Sequence, residues 1–105
     1  MAEVVKMGTN YVREIAANFH AAAPSCKSAD IKAKLVTLAN EMEPLAGKLY
    51  FKTQKGTEEM EALAKQVEDG KSKLAGDQAE AFIKPIFAEI ERLIDLVKNM
   101  KVRMT

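Results

Sequence analysis

The chain has 105 residues, of which 48% are hydrophobic and 30% charged, a composition typical of one folded domain spanning residues 1–105. Its 16 Lys and Arg residues nearly balance its 15 Asp and Glu residues, so the sequence lacks the basic excess of nucleic-acid-binding domains. The single cysteine excludes an internal disulfide, and no apolar run approaches the roughly 18 residues of a transmembrane helix.

The first predicted helix spans residues 2–22. Apolar side chains recur along it at helical spacing, which predicts one apolar face. Pro24 ends this helix because the residue before a proline is displaced from the helical region. The apolar face comprises Val4, Gly8, Tyr11, Val12, Ile15 and Phe19.

The second predicted helix spans residues 28–52 and carries a heptad pattern. Ser28 is a suitable N-cap, and Asp30 suits the positive end of the helix dipole. Pro44 removes one backbone hydrogen bond, so it either bends this helix or shifts its boundary. The heptad positions are Ile31, Leu35, Leu38, Met42, Leu45 and Leu49.

Two further helices are predicted over residues 57–75 and 78–102. Thr57 is expected to cap the third helix, where Gly70 allows another helix to approach closely. Asp77 and Glu80 have the spacing of a capping box for the fourth helix, which Pro85 either kinks or delays. Four amphipathic segments joined by short turns predict an all-α, up-down-up-down four-helix bundle.

The residues that usually carry out catalysis are scarce in this sequence. His20, the only histidine, lies close to the end of the first helix, where a phosphorelay histidine would be poorly placed, and no second histidine completes a two-metal site. Cys26 has no base placed beside it by the sequence. We therefore expect no enzyme activity, no metal or other cofactor, and no small-molecule substrate.

One stretch of the sequence has a family likeness. Residues 31–74 resemble the middle of the helical N-terminal domain of plant NLR immune receptors, and most closely the helper-receptor type related to the HeLo bundles of cell-death pseudokinases. The acidic third-helix motif of the sensor-type receptors is not visible in residues 60–74. The likeness is carried by Leu35-x-x-Leu38, Glu43-Pro44-Leu45, Glu58-Glu59-Met60-x-x-Leu63 and Glu68-x-Gly70-Lys71-x-x-Leu74.

The resemblance implies a function at the plasma membrane. Domains of this family self-associate on activation, release their first helix into the membrane, form a calcium-permeable pore and trigger cell death. It implies architectural roles for Pro44 and Gly70, and Glu3 and Glu14 as acidic candidates for the pore lumen. The helix that would meet lipid or neighbouring copies carries Val4, Val5, Tyr11, Val12, Ile15 and Phe19.

Two other interpretations stay open. The apolar face of the first helix is equally typical of an ordinary core face, in which case the chain is a cytosolic helical adaptor that binds a partner protein. A phosphotransfer bundle using His20 is the third interpretation. For the leading one we expect residence in the cytoplasm, with peripheral membrane association on activation, because the N-terminal residues lack the basic flank and apolar stretch of a secretory signal.

Overall fold

The computed structural model of the chain describes residues 8–99, and within these residues every regular element is helical. The four α-helices are α1 (Gly8–Ala22), α2 (Ala29–Leu45), α3 (Gln54–Gly70) and α4 (Ala79–Asn99). A short 3₁₀ turn follows each of the first three helices, and we number these turns in chain order: Ala23–Ser25, Leu49–Lys52 and Lys71–Ala75. The predicted all-α fold is confirmed.

The start of α2 agrees with the sequence prediction, whereas its end does not. The Ser28 hydroxyl accepts a hydrogen bond from the Ile31 amide at 3.3 Å, which is the expected N-cap. The helix ends at Leu45, one residue after Pro44, and not near residue 52. Since Pro44 lies in the last turn, it marks the helix boundary. Leu49, assigned to the heptad pattern, is consequently 47% exposed.

The start of α3 lies earlier than predicted. Thr53 is the N-cap, and its hydroxyl accepts a hydrogen bond from the Gly56 amide at 3.0 Å. Thr57 lies inside the helix, so its predicted capping role is wrong. Its hydroxyl instead accepts a hydrogen bond from the Gly8 amide of α1 at 3.0 Å. At the other end, α3 stops at Gly70 and the third 3₁₀ turn replaces the last predicted residues.

The fourth helix begins at Ala79, and the amide of Phe82 donates its first helical hydrogen bond to the Gln78 carbonyl. Pro85 lies within the helix, so it does not delay the start. The predicted helix ends at residues 2 and 102 lie outside the described residues.

Side-chain contacts fix the relative directions of three helices. Tyr11 and Asn18 of α1 reach Glu61 and Glu68 of α3, respectively, so these two helices run parallel. Gly70 at the end of α3 lies against Phe82 near the start of α4, and Glu59 pairs with Arg92, so α3 and α4 run antiparallel. α1, α3 and α4 therefore run in the directions expected of such a bundle, while the up-down-up-down order of all four helices stays a prediction.

The buried side chains form a single apolar cluster to which all four helices contribute. Among the described residues no polar or charged side chain is buried. The largest fully buried side chains are Val12, Ile15, Phe19, Leu35, Met60, Val67, Leu74, Ile83 and Ile90.

Two glycines allow helices to rest directly on the backbone of the second 3₁₀ turn. A Cβ added to Gly8 would lie 2.3 Å from the Phe51 carbonyl oxygen, and one added to Gly56 would lie 2.1 Å from the Tyr50 carbonyl oxygen. Backbone atoms cannot move aside as a flexible side chain can. These positions therefore require glycine for packing, and not for an unusual backbone angle.

We predict that Gly56→Ala lowers the free energy of unfolding by about 1–3 kcal/mol, because overpacking outweighs the higher helix propensity of alanine. Gly47→Ala is the matched control, since nothing lies within 4 Å of its added Cβ. Urea denaturation of both variants measures the difference. Equal stabilities would contradict the packing role of Gly56.

Candidate functional site

The first helix is the candidate site, and its apolar face lies at the centre of the bundle. Val12, Ile15 and Phe19 are between 0% and 1% exposed. The ring of Phe19 meets that of Phe87 edge to face, with centroids 6.1 Å apart. Tyr11 is partly buried and packs against the same core. Thus Val12, Ile15 and Phe19, three of the residues expected to meet lipid or neighbouring copies, belong to the core, and Tyr11 packs at its edge.

Polar contacts hold the first turn of α1 against the adjacent segments. The Gly8 amide donates to Thr57, and the Thr9 hydroxyl donates to the Ala46 carbonyl at 2.7 Å. Both bonds are partly buried, so water competes with them only in part. They join α1 to the beginning of α3 and the end of α2.

Further along, α1 is held by exposed polar contacts. The Tyr11 hydroxyl donates to the Glu61 carboxylate at 3.1 Å, and the Asn18 amide donates to the Glu68 carboxylate at 3.1 Å. Hydrogen bonds from Lys71 and Asn18 lower the pKa of Glu68. Because water and salt screen exposed contacts, these bonds orient α1 more than they stabilise it.

His20 occupies the last turn of α1, as the sequence predicts. Its Nε2 lies 3.3 Å from a carboxylate oxygen of Glu43 in α2, and both side chains are substantially exposed. Cys26 follows the first 3₁₀ turn and is 6% exposed, with its Sγ 3.7 Å from the Ser28 carbonyl oxygen. Within residues 8–99 the thiol thus donates a weak hydrogen bond to a backbone carbonyl oxygen, which does not act as a general base.

The structure describes three of the remaining sequence-predicted residues. Pro44 lies in the last turn of α2, and Gly70 lies where an added Cβ would be 2.2 Å from the Phe82 ring. Glu14 is partly buried on α1. Glu3, Val4 and Val5 lie outside the described residues.

A polar network at the second 3₁₀ turn was not foreseen from the sequence. The Tyr50 hydroxyl donates to the Glu59 carboxylate at 2.7 Å, and Arg92 of α4 lies 3.7 Å from the same carboxylate. Arg92 also donates to Glu89, one turn earlier in α4. Burial, together with the hydrogen bond to Glu59, raises the pKa of Tyr50 to about 12. The network thus joins the turn to α3 and α4.

The described part of the chain holds no group of three His, Cys, Asp or Glu side chains able to bind a metal ion. A small interior cavity between α1, α2, α3 and α4 is lined only by apolar side chains, among them Val12, Met42 and Ile90. Among residues 8–99, no helix is both long and apolar enough to cross a membrane.

We predict that Tyr50→Phe reduces the loss of folding stability that occurs at high pH. A tyrosine with a pKa of about 12 in the folded state and about 10 when unfolded holds its proton more tightly when folded. The stability that this raised pKa contributes is fully present below pH 10 and is lost as the pH rises from 10 through 12. The loss in the free energy of unfolding is at most about 2.7 kcal/mol. Urea denaturation at pH 8–12 measures the difference from wild type, and Tyr11→Phe is the control.

If both tyrosine variants followed the wild-type dependence on pH, the coupling between Tyr50 and Glu59 would be contradicted.

Comparison with protein-family models, with curated proteins and with solved structures finds no match to this chain.

Proposed function

We propose that this chain is a self-associating signalling domain of the plant NLR immune-receptor type. On activation, α1 leaves the bundle and engages the plasma membrane, and the assembled helices form a cation pore that triggers cell death. In the resting state the domain resides in the cytoplasm. It acts without enzyme chemistry, cofactor or nucleic acid.

The observation that carries this proposal is the amphipathic character of α1. One face, with Val12, Ile15 and Phe19, is fully buried, while Arg13 and Ala17 on the opposite face are exposed. Such a helix fits two environments equally: the bundle core, and a membrane interface or helical assembly that covers the same face. A single helix of this kind does not span a bilayer, but several arranged around water place their polar faces in the shared lumen.

The energy of burial explains why an activating event is needed. Returning Val12, Ile15 and Phe19 to water opposes release by about 4.5–9 kcal/mol, at roughly 1.5–3 kcal/mol for each side chain. That is comparable with the whole stability of a typical domain, about 5–15 kcal/mol. Release of α1 therefore requires a new apolar environment that replaces the lost one.

The resemblance over residues 31–74 supports the proposal at two points. Pro44 ends α2 at the connection that leads into the second 3₁₀ turn, and Gly70 admits the Phe82 ring against α3. The leucines and the methionine of the matched motifs, Leu35, Leu38, Leu45, Met60, Leu63 and Leu74, are all buried.

The hydrogen bonds at the start of α1 favour a second candidate function. Because Gly8 and Thr9 are bound by partly buried contacts and the apolar face is fully covered, the helix is suited to a permanent place in the core. The chain would then be a cytosolic adaptor that presents another surface to a partner protein.

A reversible lock between α1 and α3 separates the two functions. Asn18 and Glu68 are hydrogen-bonded side chains at the protein surface, so cysteines there can be joined by a short, cleavable bismaleimide, with Cys26→Ala removing the native thiol. We predict that the unlocked protein releases calcein from anionic liposomes and that the locked protein releases at most one tenth as much. Cleaving the linker should restore release.

The Asn18→Cys variant treated with the same reagent is the control for chemical modification. Equal release by locked and unlocked protein would contradict the exchange of α1, and no release by either would leave the adaptor function. The lock is preferable to Ile15→Glu, because Ile15 is fully buried and a charge there unfolds the bundle.

A further inference from the structure

One end of the bundle combines exposed leucines with lysines. Leu49 and Leu96, 47% and 38% exposed, are the large apolar side chains that the described residues leave exposed. Leu49 precedes Tyr50, whose hydroxyl binds Glu59, and Leu96 lies one helical turn beyond Arg92, which pairs with the same Glu59. The two leucines therefore lie at the same end of the molecule.

Four lysines share this end. Lys48 precedes the second 3₁₀ turn, Lys52 is its last residue, Lys55 lies in the first turn of α3, and Lys98 lies near the end of α4. All four are exposed, and within residues 8–99 none of them lies within 4.0 Å of a carboxylate oxygen. We call the surface formed by Lys48, Leu49, Lys52, Lys55, Leu96 and Lys98 the basic end.

The charges around the basic end leave it positive. The neighbouring exposed acids Glu58 and Asp95 offset part of the lysine charge, and the Glu58 carboxylate already accepts a hydrogen bond from Gln54. Glu59 is engaged by Tyr50 and Arg92. The beginning of α1 lies at the same end, since Gly8 contacts Phe51 and Thr57.

We infer that the basic end docks on an anionic phospholipid surface. Lysines attract anionic headgroups, while exposed leucines enter the boundary between headgroups and acyl chains. The leucines favour a lipid surface over a nucleic acid, which would use basic and aromatic side chains. This inference rests on the membrane engagement proposed above and identifies the surface that makes first contact, at the end where α1 begins.

The test is flotation of the full chain with vesicles of phosphatidylcholine alone, or with 30% phosphatidylserine. We expect binding to the anionic vesicles only, and weaker binding as salt is raised. Replacing Lys48, Lys52, Lys55 and Lys98 by Gln should weaken binding at least tenfold, since each lysine near such a surface contributes about fivefold. The matched control replaces Lys27, Lys32, Lys65 and Lys84 by Gln and should lose far less.

A second variant tests the apolar part. Leu49→Ser with Leu96→Ser should weaken binding several-fold without unfolding, because both side chains are exposed. Wild-type binding by this variant would show a general polyanion surface and overturn the lipid assignment. Equal losses in the two lysine variants, or no binding by the wild type, would also overturn it.

Dye release in the same vesicles keeps the two proposals apart. Binding that requires the basic end but releases no dye supports the docking surface and contradicts the pore. Dye release that persists when the basic-end lysines are replaced contradicts the docking surface alone.

Discussion

The close contact between two glycines and the backbone of the second 3₁₀ turn determines much of this structure. Gly8 and Gly56 bring the beginnings of α1 and α3 against the carbonyl groups of Phe51 and Tyr50. The turn thereby directs the Tyr50 hydroxyl towards Glu59 and Phe51 into the core. The same geometry leaves Leu49 in solvent. One packing constraint therefore positions the first helix, the polar network and the surface assigned to lipid.

The function proposed for α1 depends on a balance between two environments for one apolar face. In the bundle that face is fully covered, and the free energy of its burial is comparable with the whole stability of a typical domain. The exposed hydrogen bonds from Tyr11 and Asn18 orient α1 but contribute little to the free energy of unfolding. If the lysines of the basic end bind a membrane first, the local concentration of lipid around α1 is already high before the helix leaves the core.

The helical content and most core positions could be predicted from the sequence, because amphipathic helices reveal their buried face through spacing alone. Leu35 and Met42 of the predicted heptad pattern are 0% and 3% exposed. The boundaries near Leu45 and Gln54 were not predicted. The apolar periodicity continues to Leu49 and therefore predicts a longer second helix. In the structure, α2 ends one residue after Pro44, and the Thr53 cap starts α3.

The candidate site was predicted only in part. The residues of α1 were named from their spacing, but spacing cannot distinguish a core face from a lipid-binding face, because both are apolar. The network of Tyr50, Glu59 and Arg92 joins residues far apart in sequence. It depends on the register between α3 and α4, which the periodicity of each helix does not specify.

The position of Cys26 has a practical consequence. As the one cysteine of the chain, it lies buried between α1 and α2, directly after the first 3₁₀ turn. A maleimide or disulfide reagent reaches this sulfur only when the connection between the two helices opens. The rate at which Cys26 is labelled therefore reports how often that connection opens, and mass spectrometry can measure this rate on the wild-type protein.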